Sequence, residues 1–150
     1  MKKWLTALIF ALITPMAMAA STVDAVNPYA RAVPPGQPNS AIFMMLKNNS
    51  AKEISLIRAQ SSVAEAVELH THTMDQGVMK MRQVSEIRIP GNGMAQLRPG
   101  GNHIMLIGLK QNLFEGQKVS VKLYFSNGSM SVVEMPIKKV MVGMQQHSAH

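Results

Sequence analysis

The chain predicts an all-β domain, an antiparallel sandwich or barrel. Three observations carry that expectation. Segments of about five to ten residues with β-branched or alternating apolar content recur, clusters of Gly, Pro, Asn and Asp divide them, and helical periodicity is weak throughout. The first strand is expected near Val23 to Val33, closed by the exposed loop Pro34-Pro35-Gly36-Gln37-Pro38. Ser40 to Lys47 follows and ends at Asn48-Asn49-Ser50, and Lys52 to Ser61 comes next. Ala66 to Thr73 and Val78 to Gln83 flank the turn signal Asp75-Gln76-Gly77. Ile87 to Pro90 and Met94 to Leu97 flank Gly91-Asn92-Gly93. Ile104 to Leu109 starts after Pro99-Gly100-Gly101-Asn102. Val119 to Phe125 and Met130 to Lys138 flank Ser126-Asn127-Gly128-Ser129, in which Asn127-Gly128 is a good hairpin turn. Leu109 to Gly116 is open between a turn of helix and an apolar loop.

The N-terminal residues read as a secretory signal: basic Met1-Lys2-Lys3, the apolar run Trp4 to Ile13, then small residues at Ala17-Met18-Ala19-Ala20. The run is too short to span a bilayer, and cleavage is expected near Ala19/Ala20. The expected organisation is a signal peptide over 1–19, one domain over 20–140, and a flexible tail containing Met and His over 141–150. The expected location is the periplasm, with no stable membrane insertion after the signal is removed. No internal repeat or interdomain linker divides the rest, and a monomer is expected.

After such cleavage the chain carries thirteen basic and eight acidic residues, scattered rather than clustered. Lys80, Arg82 and Arg88 alternate with apolar residues as on the solvated face of a sheet. A nucleic-acid surface needs a basic stripe interleaved with stacking aromatics, whereas the aromatics here are Tyr29, Phe43, Phe114, Tyr124 and Phe125. Nucleic acid is therefore not an expected partner. Cysteine is absent, which excludes disulfides, Cys-ligated zinc, thiol redox chemistry and a blue-copper centre. A metal held here must be held mainly by His and Met.

Methionine is abundant, and packing explains Met44, Met45 and Met135. Three other segments place two soft-metal ligands one residue apart: His70 and His72, Met79 and Met81, His103 and Met105. On a strand such pairs share one face. His70 and His72 then lie with Glu68 opposite Val67 and Leu69, and His103 and Met105 lie opposite Ile104 and Leu106. Met79 and Met81 oppose Lys80 and Arg82, which by ordinary burial preference makes them core residues. Their reading as ligands draws its support from the other two pairs. Imidazole with thioether and no thiol favours Cu(I) over hard ions.

The order His70, ten residues, Met81, twenty-one residues, His103, one residue, Met105 resembles the motif of the periplasmic copper chaperone A family, of PCuAC type. The surrounding stretches Glu68-Leu69-His70-Thr71-His72, Gly77-Val78-Met79-Lys80-Met81-Arg82 and Pro99-Gly100-Gly101-Asn102-His103-Ile104-Met105-Leu106 strengthen the likeness, which extends from about Val26 to Val140. Thr71 stands where a Met is common. The resemblance implies a cupredoxin-like antiparallel β-sandwich of Greek-key type, Cu(I) bound by His70, Met81, His103 and Met105, and delivery toward cytochrome oxidase copper centres. It also implies a copper-accepting partner such as an oxidase subunit or a thiol-disulfide co-chaperone. His72, Met74 and Met79 are candidates for auxiliary ligation or shielding, and Met141, Met144, His147 and His150 for a second, Cu(II) site in the tail.

No Ser-His-Asp order, paired carboxylates or metallohydrolase spacing accompanies these residues, so a non-enzyme is expected. Two alternatives stay open on sequence alone. One is a copper-buffering or tolerance protein using the same ligands. The other is a non-metal adhesion or assembly module in which the Met residues are core.

Overall fold

The computed structural model describes residues 14–15 and 21–140. Most of the expected signal segment and the whole tail, with Met141, Met144, His147 and His150, lie outside the described residues. Ten strands are present: β1 (Val23–Arg31), β2 (Asn39–Asn48), β3 (Ile54–Gln60), β4 (Ala64–Asp75), β5 (Val78–Gln83), β6 (Ile87–Ile89), β7 (Met94–Leu97), β8 (His103–Leu109), β9 (Lys118–Phe125) and β10 (Met130–Lys138). Each falls where the alternation of apolar residues and turn signals places a strand. Among the described residues there is no helix, so none long and apolar enough to cross a membrane.

The strands form one hydrogen-bonded path in the order β5-β4-β8-β2-β1-β10-β9-β3-β6, with β7 added to β2. The path folds over on itself into a sandwich. Ile42, Leu46, Leu69, Ile104 and Leu106 from one half meet Leu56, Ile89, Val121, Leu123, Phe125 and Ile137 from the other in a single buried cluster. Every ladder is antiparallel except one: β1 pairs parallel to β10 through Ala30↔Ile137 and Arg31↔Lys138. A parallel pair needs a long crossover, and here all the intervening strands supply it. Turn chemistry alone does not reveal this seam.

Of the segment Leu109 to Gly116, Leu109 ends β8 and the rest resolves as a loop rather than a helical turn. Its apolar character has a packing cause, since Leu113 is fully buried in the main core and its carbonyl accepts a bond from Val33 N–H at 3.2 Å.

The hairpin β4–β5 sets up everything that follows. Gln76 and Gly77 both have positive φ, 49° and 76°, as a two-residue type I′ turn requires. That turn locks the register Asp75↔Val78, Met74↔Met79, Thr73↔Lys80, His72↔Met81, Thr71↔Arg82 and His70↔Gln83. All six β5 residues are exposed, and among the described residues β4 is the only strand with which β5 pairs.

Candidate metal centre

Cross-strand partners share a face, and β4 pairs with β8 from Ala64 to His70 and with β5 from His70 to Asp75, so that His70 is the residue where the two ladders meet. On β8, His103 stands directly opposite His70 and Met105 opposite Glu68. On β5, Met81 stands opposite His72. His70 therefore has His103 as its direct neighbour and both Met81 and Met105 as diagonal neighbours on one face, a distance that long side chains bridge. Residues as far apart in the sequence as His70 and Met105 meet there because the ladders β5-β4-β8 are adjacent.

This face is the outer one. Leu69, Ile104 and Leu106 point the other way, into the main core. Even so, His103 is only 2% exposed. Phe43 of β2 covers it, with ring centroids 6.3 Å apart, and Tyr29 backs Phe43 at 5.3 Å. The rings of His70 and His72 lie 5.8 Å and 5.2 Å from that of His103. The structure thus brings His72 into the cluster alongside His70.

Hydrogen bonds fix the ring tautomers. His103 Nδ1 lies 2.9 Å from the Gly101 carbonyl oxygen, which only accepts, so Nδ1 carries the proton and Nε2 keeps its lone pair. His72 Nδ1 approaches the same carbonyl at 3.3 Å. His70 Nε2 lies 2.7 Å from Glu68 Oε2. Donation to that carboxylate leaves Nδ1 as the bare nitrogen, and His70 Nδ1 is buried with no hydrogen-bond partner. A buried acceptor without a donor is costly to leave unmet. A cation is the partner that such a lone pair suits.

Burial pushes the His103 pKa below the ordinary histidine value, and the neighbouring His72, His70 and Arg31 push it the same way against the opposing Gly101 hydrogen bond. The ring is neutral near pH 7, the form in which it ligates a metal.

The methionines behave differently from the burial expectation. Met44 and Met135 are buried, but Met79 and Met81, the pair that ordinary preference puts in the core, are 55% and 45% exposed. The physical reason is the position of β5, which extends past the sandwich edge so that neither of its faces meets the core. Lys80 and Arg82 on its other face are tied to Asp75, at 2.8 Å and 3.8 Å, and Arg88 is likewise exposed. Met74, at the hairpin end, is 68% exposed. Among the described residues no group of three His, Asp or Glu side chains is placed to hold an ion, and the soft donors that share this face with His70 and His103 are the thioethers of Met81 and Met105. That donor set suits a soft monovalent cation.

Sequence reasoning missed the roles of Glu68, Gly101 and Phe43. Glu68 carried a signal, since it shares a face with His70 two residues away. The Gly101 carbonyl and the Phe43 ring carried none, because their parts arise from strand adjacency.

The fold is a cupredoxin-like β-sandwich of the kind seen in PCuAC domains. A copper-bound PCuAC domain from PmoF2 superposes with a TM-score of 0.68 at 18% identity, covering 81% of this chain and 97% of that one. The chain belongs to the family described as "Putative lipoprotein LpqE-like", whose model matches residues 23–137. It is 41% identical over 104 residues to a "Putative lipoprotein" of Leifsonia xyli subsp. xyli, a match spanning 69% of this chain and 63% of that protein, just under two thirds of its length. It is also similar to DR1885 from Deinococcus radiodurans, whose apo solution structure gives 30% identity and a TM-score of 0.63 over 94% of this chain and 95% of that one. The Cu(I) form of DR1885 gives 30% identity and 0.62, over 85% and 83%.

Proposed function

We propose that this chain is an exported copper carrier that takes up Cu(I) at His70, His103, Met81 and Met105, protects it, and passes it to an acceptor protein. The observation that carries the proposal is the buried His70 Nδ1 lone pair without a partner, directly across the ladder from the His103 ring and diagonal to both thioethers. The Cu(I) form of its relative DR1885 supports copper as the cargo. The lipoprotein names of its relatives and the signal-like N-terminus support export to the cell envelope.

Cu(I) has a filled d shell and little geometric demand, so imidazole and thioether surround it without strain. His70 and His103 bring nitrogen ligands whose orientations are preset by Glu68 and Gly101. Met81, half exposed at the rim, is the ligand an approaching acceptor displaces first. Exchange of one ligand at a time moves the ion without releasing it to water. His72, with its ring near His103, serves as an auxiliary ligand during that exchange. No covalent step or turnover is required. The destination implied by the family resemblance is a cytochrome oxidase copper centre.

Competitive Cu(I) titration of the mature protein tests the reading. One ion is expected to bind, and X-ray absorption should show sulfur together with nitrogen in its shell. Met81→Leu and His103→Ala are each expected to weaken binding at least tenfold with the domain still folded. A coordination shell without sulfur ends the proposal.

A further inference from the structure

We infer that the outer end of the β4–β5 hairpin is a second, weaker Cu(I) site, built from the Met74 and Met79 thioethers, through which the ion enters and leaves the centre at His70 and His103. The inference rests on the Cu(I) reading of that centre and adds a place where exchange begins.

Met74 and Met79 are a direct cross-strand pair, so their Cβ atoms are about 5 Å apart on one face. Two flexible thioether arms from such a pair reach a common ion. The same register puts Met81 two residues inward of Met79 and directly opposite His72. From hairpin end to base the face therefore runs Met74/Met79, then His72/Met81, then His70/His103. Donors change along it from thioether alone to mixed to mainly imidazole, and exposure falls from 68% at Met74 to 2% at His103.

Packing does not account for the outer pair. Every residue of β5 is exposed, and neither Met74 nor Met79 belongs to the core cluster or packs against it. Nor does the pair belong to the inner centre. Met74 lies four residues along β4 from His70, about 13 Å at strand rise, too far for both to bind one ion. The cations of this hairpin occupy its other face, where Lys80 bonds Asp75 at 2.8 Å. The hairpin thus places neither Lys80 nor Arg82 on its thioether face. Thioethers alone hold soft ions and reject hard ones, and two neutral sulfurs hold Cu(I) more loosely than the four-ligand centre does. Loose binding at an exposed end beside a tighter site is what stepwise transfer needs.

The test uses the folded mature protein with 13C-labelled methionine methyl groups, titrated anaerobically with the acetonitrile complex of Cu(I). The first equivalent is expected to move the Met81 and Met105 methyl signals and the second those of Met74 and Met79. In the Met74→Leu/Met79→Leu double variant, affinity for the first equivalent should stay within twofold of the parent. The rate of Cu(I) loss to a bathocuproine chelator should fall at least threefold. Met74 and Met79 signals that stay still through two equivalents, or an unchanged release rate in the variant, overturn the inference. Movement at Met74 and Met79 with Met81 and Met105 unmoved would instead support the hairpin site and remove the inner centre, so the two readings fail separately.

Discussion

His70 and His103 face each other across the β4–β8 ladder with ring centroids 5.8 Å apart, and their protons are held on opposite ring nitrogens. Glu68 Oε2 accepts a hydrogen bond from His70 Nε2–H at 2.7 Å, and the Gly101 carbonyl accepts one from His103 Nδ1–H at 2.9 Å. One ring therefore offers Nδ1 and the other Nε2. Each is oriented by a hydrogen bond to its other nitrogen, an arrangement common around metal-binding imidazoles.

In the proposed Cu(I) centre Glu68 acts on the ion through His70. Glu68→Ala frees the ring to rotate and to move its proton, and Cu(I) affinity is expected to fall about 10–100-fold, the usual effect of losing such a partner. Glu68→Gln keeps a neutral acceptor and should fall less. Competitive titration gives the affinities, and 15N imidazole spectra of the apo protein give the tautomer. If Glu68→Ala leaves both the affinity and the Nε2–H signal of His70 in place, the positioning role is wrong.

The depressed pKa of His103 makes apo stability depend on pH. The unfolded chain protonates this ring near 6.5 and the folded chain only at lower pH. The unfolded state thus binds more protons as pH falls below that value, and by linkage stability falls with it. The contribution is complete above pH 6.5, declines below it, and levels off once the folded ring also protonates. Urea midpoints at pH 7.5 and 5.5 should show a drop in the parent and a smaller drop in His103→Gln. Equal drops would assign the loss to other groups.

Two methionines separate packing from chemistry. Met135 is 1% exposed within the main core, and Met135→Ala is expected to cost about 2–5 kcal/mol, as large-to-small core changes do. Met81→Leu alters an exposed side chain and is expected to change stability by less than about 0.5 kcal/mol. Chemical denaturation measures both. A large loss from Met81→Leu would mean that Met81 packs after all.

The ten strands were legible because each carries its own alternation and is bounded by its own turn residues. Gln76-Gly77 shows this well, since the turn that ends β4 also dictates which residue of β5 faces His72. Burial was less legible. Lys80 and Arg82 alternate with Met79 and Met81 just as charged residues alternate with core residues on a sheet edge, and only the placement of β5 beyond the sandwich reverses the inference. The parallel β1–β10 seam and the Phe43 cover over His103 depend on which strands become neighbours, and no local pattern encodes that. The likeness of the His and Met spacing to a known motif pointed to residues that the ladders do bring to one face, while the groups that orient the rings emerged only from the coordinates.

The hairpin turn itself offers the sharpest link between local backbone and copper binding. Gly77 has φ 76° with nothing within 4 Å of where a Cβ would stand, so a side chain there meets no clash and strain arises only from the backbone. Gly77→Val places a β-branched residue in the left-handed region at a cost of roughly 1–2 kcal/mol. Because β5 is anchored only through β4, fraying of the hairpin relieves that strain without disturbing the core. Fraying also separates Met81 from His72 and His70. Cu(I) affinity should then fall by at most about 5–30-fold, the limit reached when the strain leaves the hairpin mostly frayed, with faster amide exchange over β5 and a nearly unchanged urea midpoint. Gly77→Asn tolerates the left-handed region and should bind close to the parent. Equal affinities for the Val and Asn variants would show that hairpin register does not set the position of Met81 at the metal.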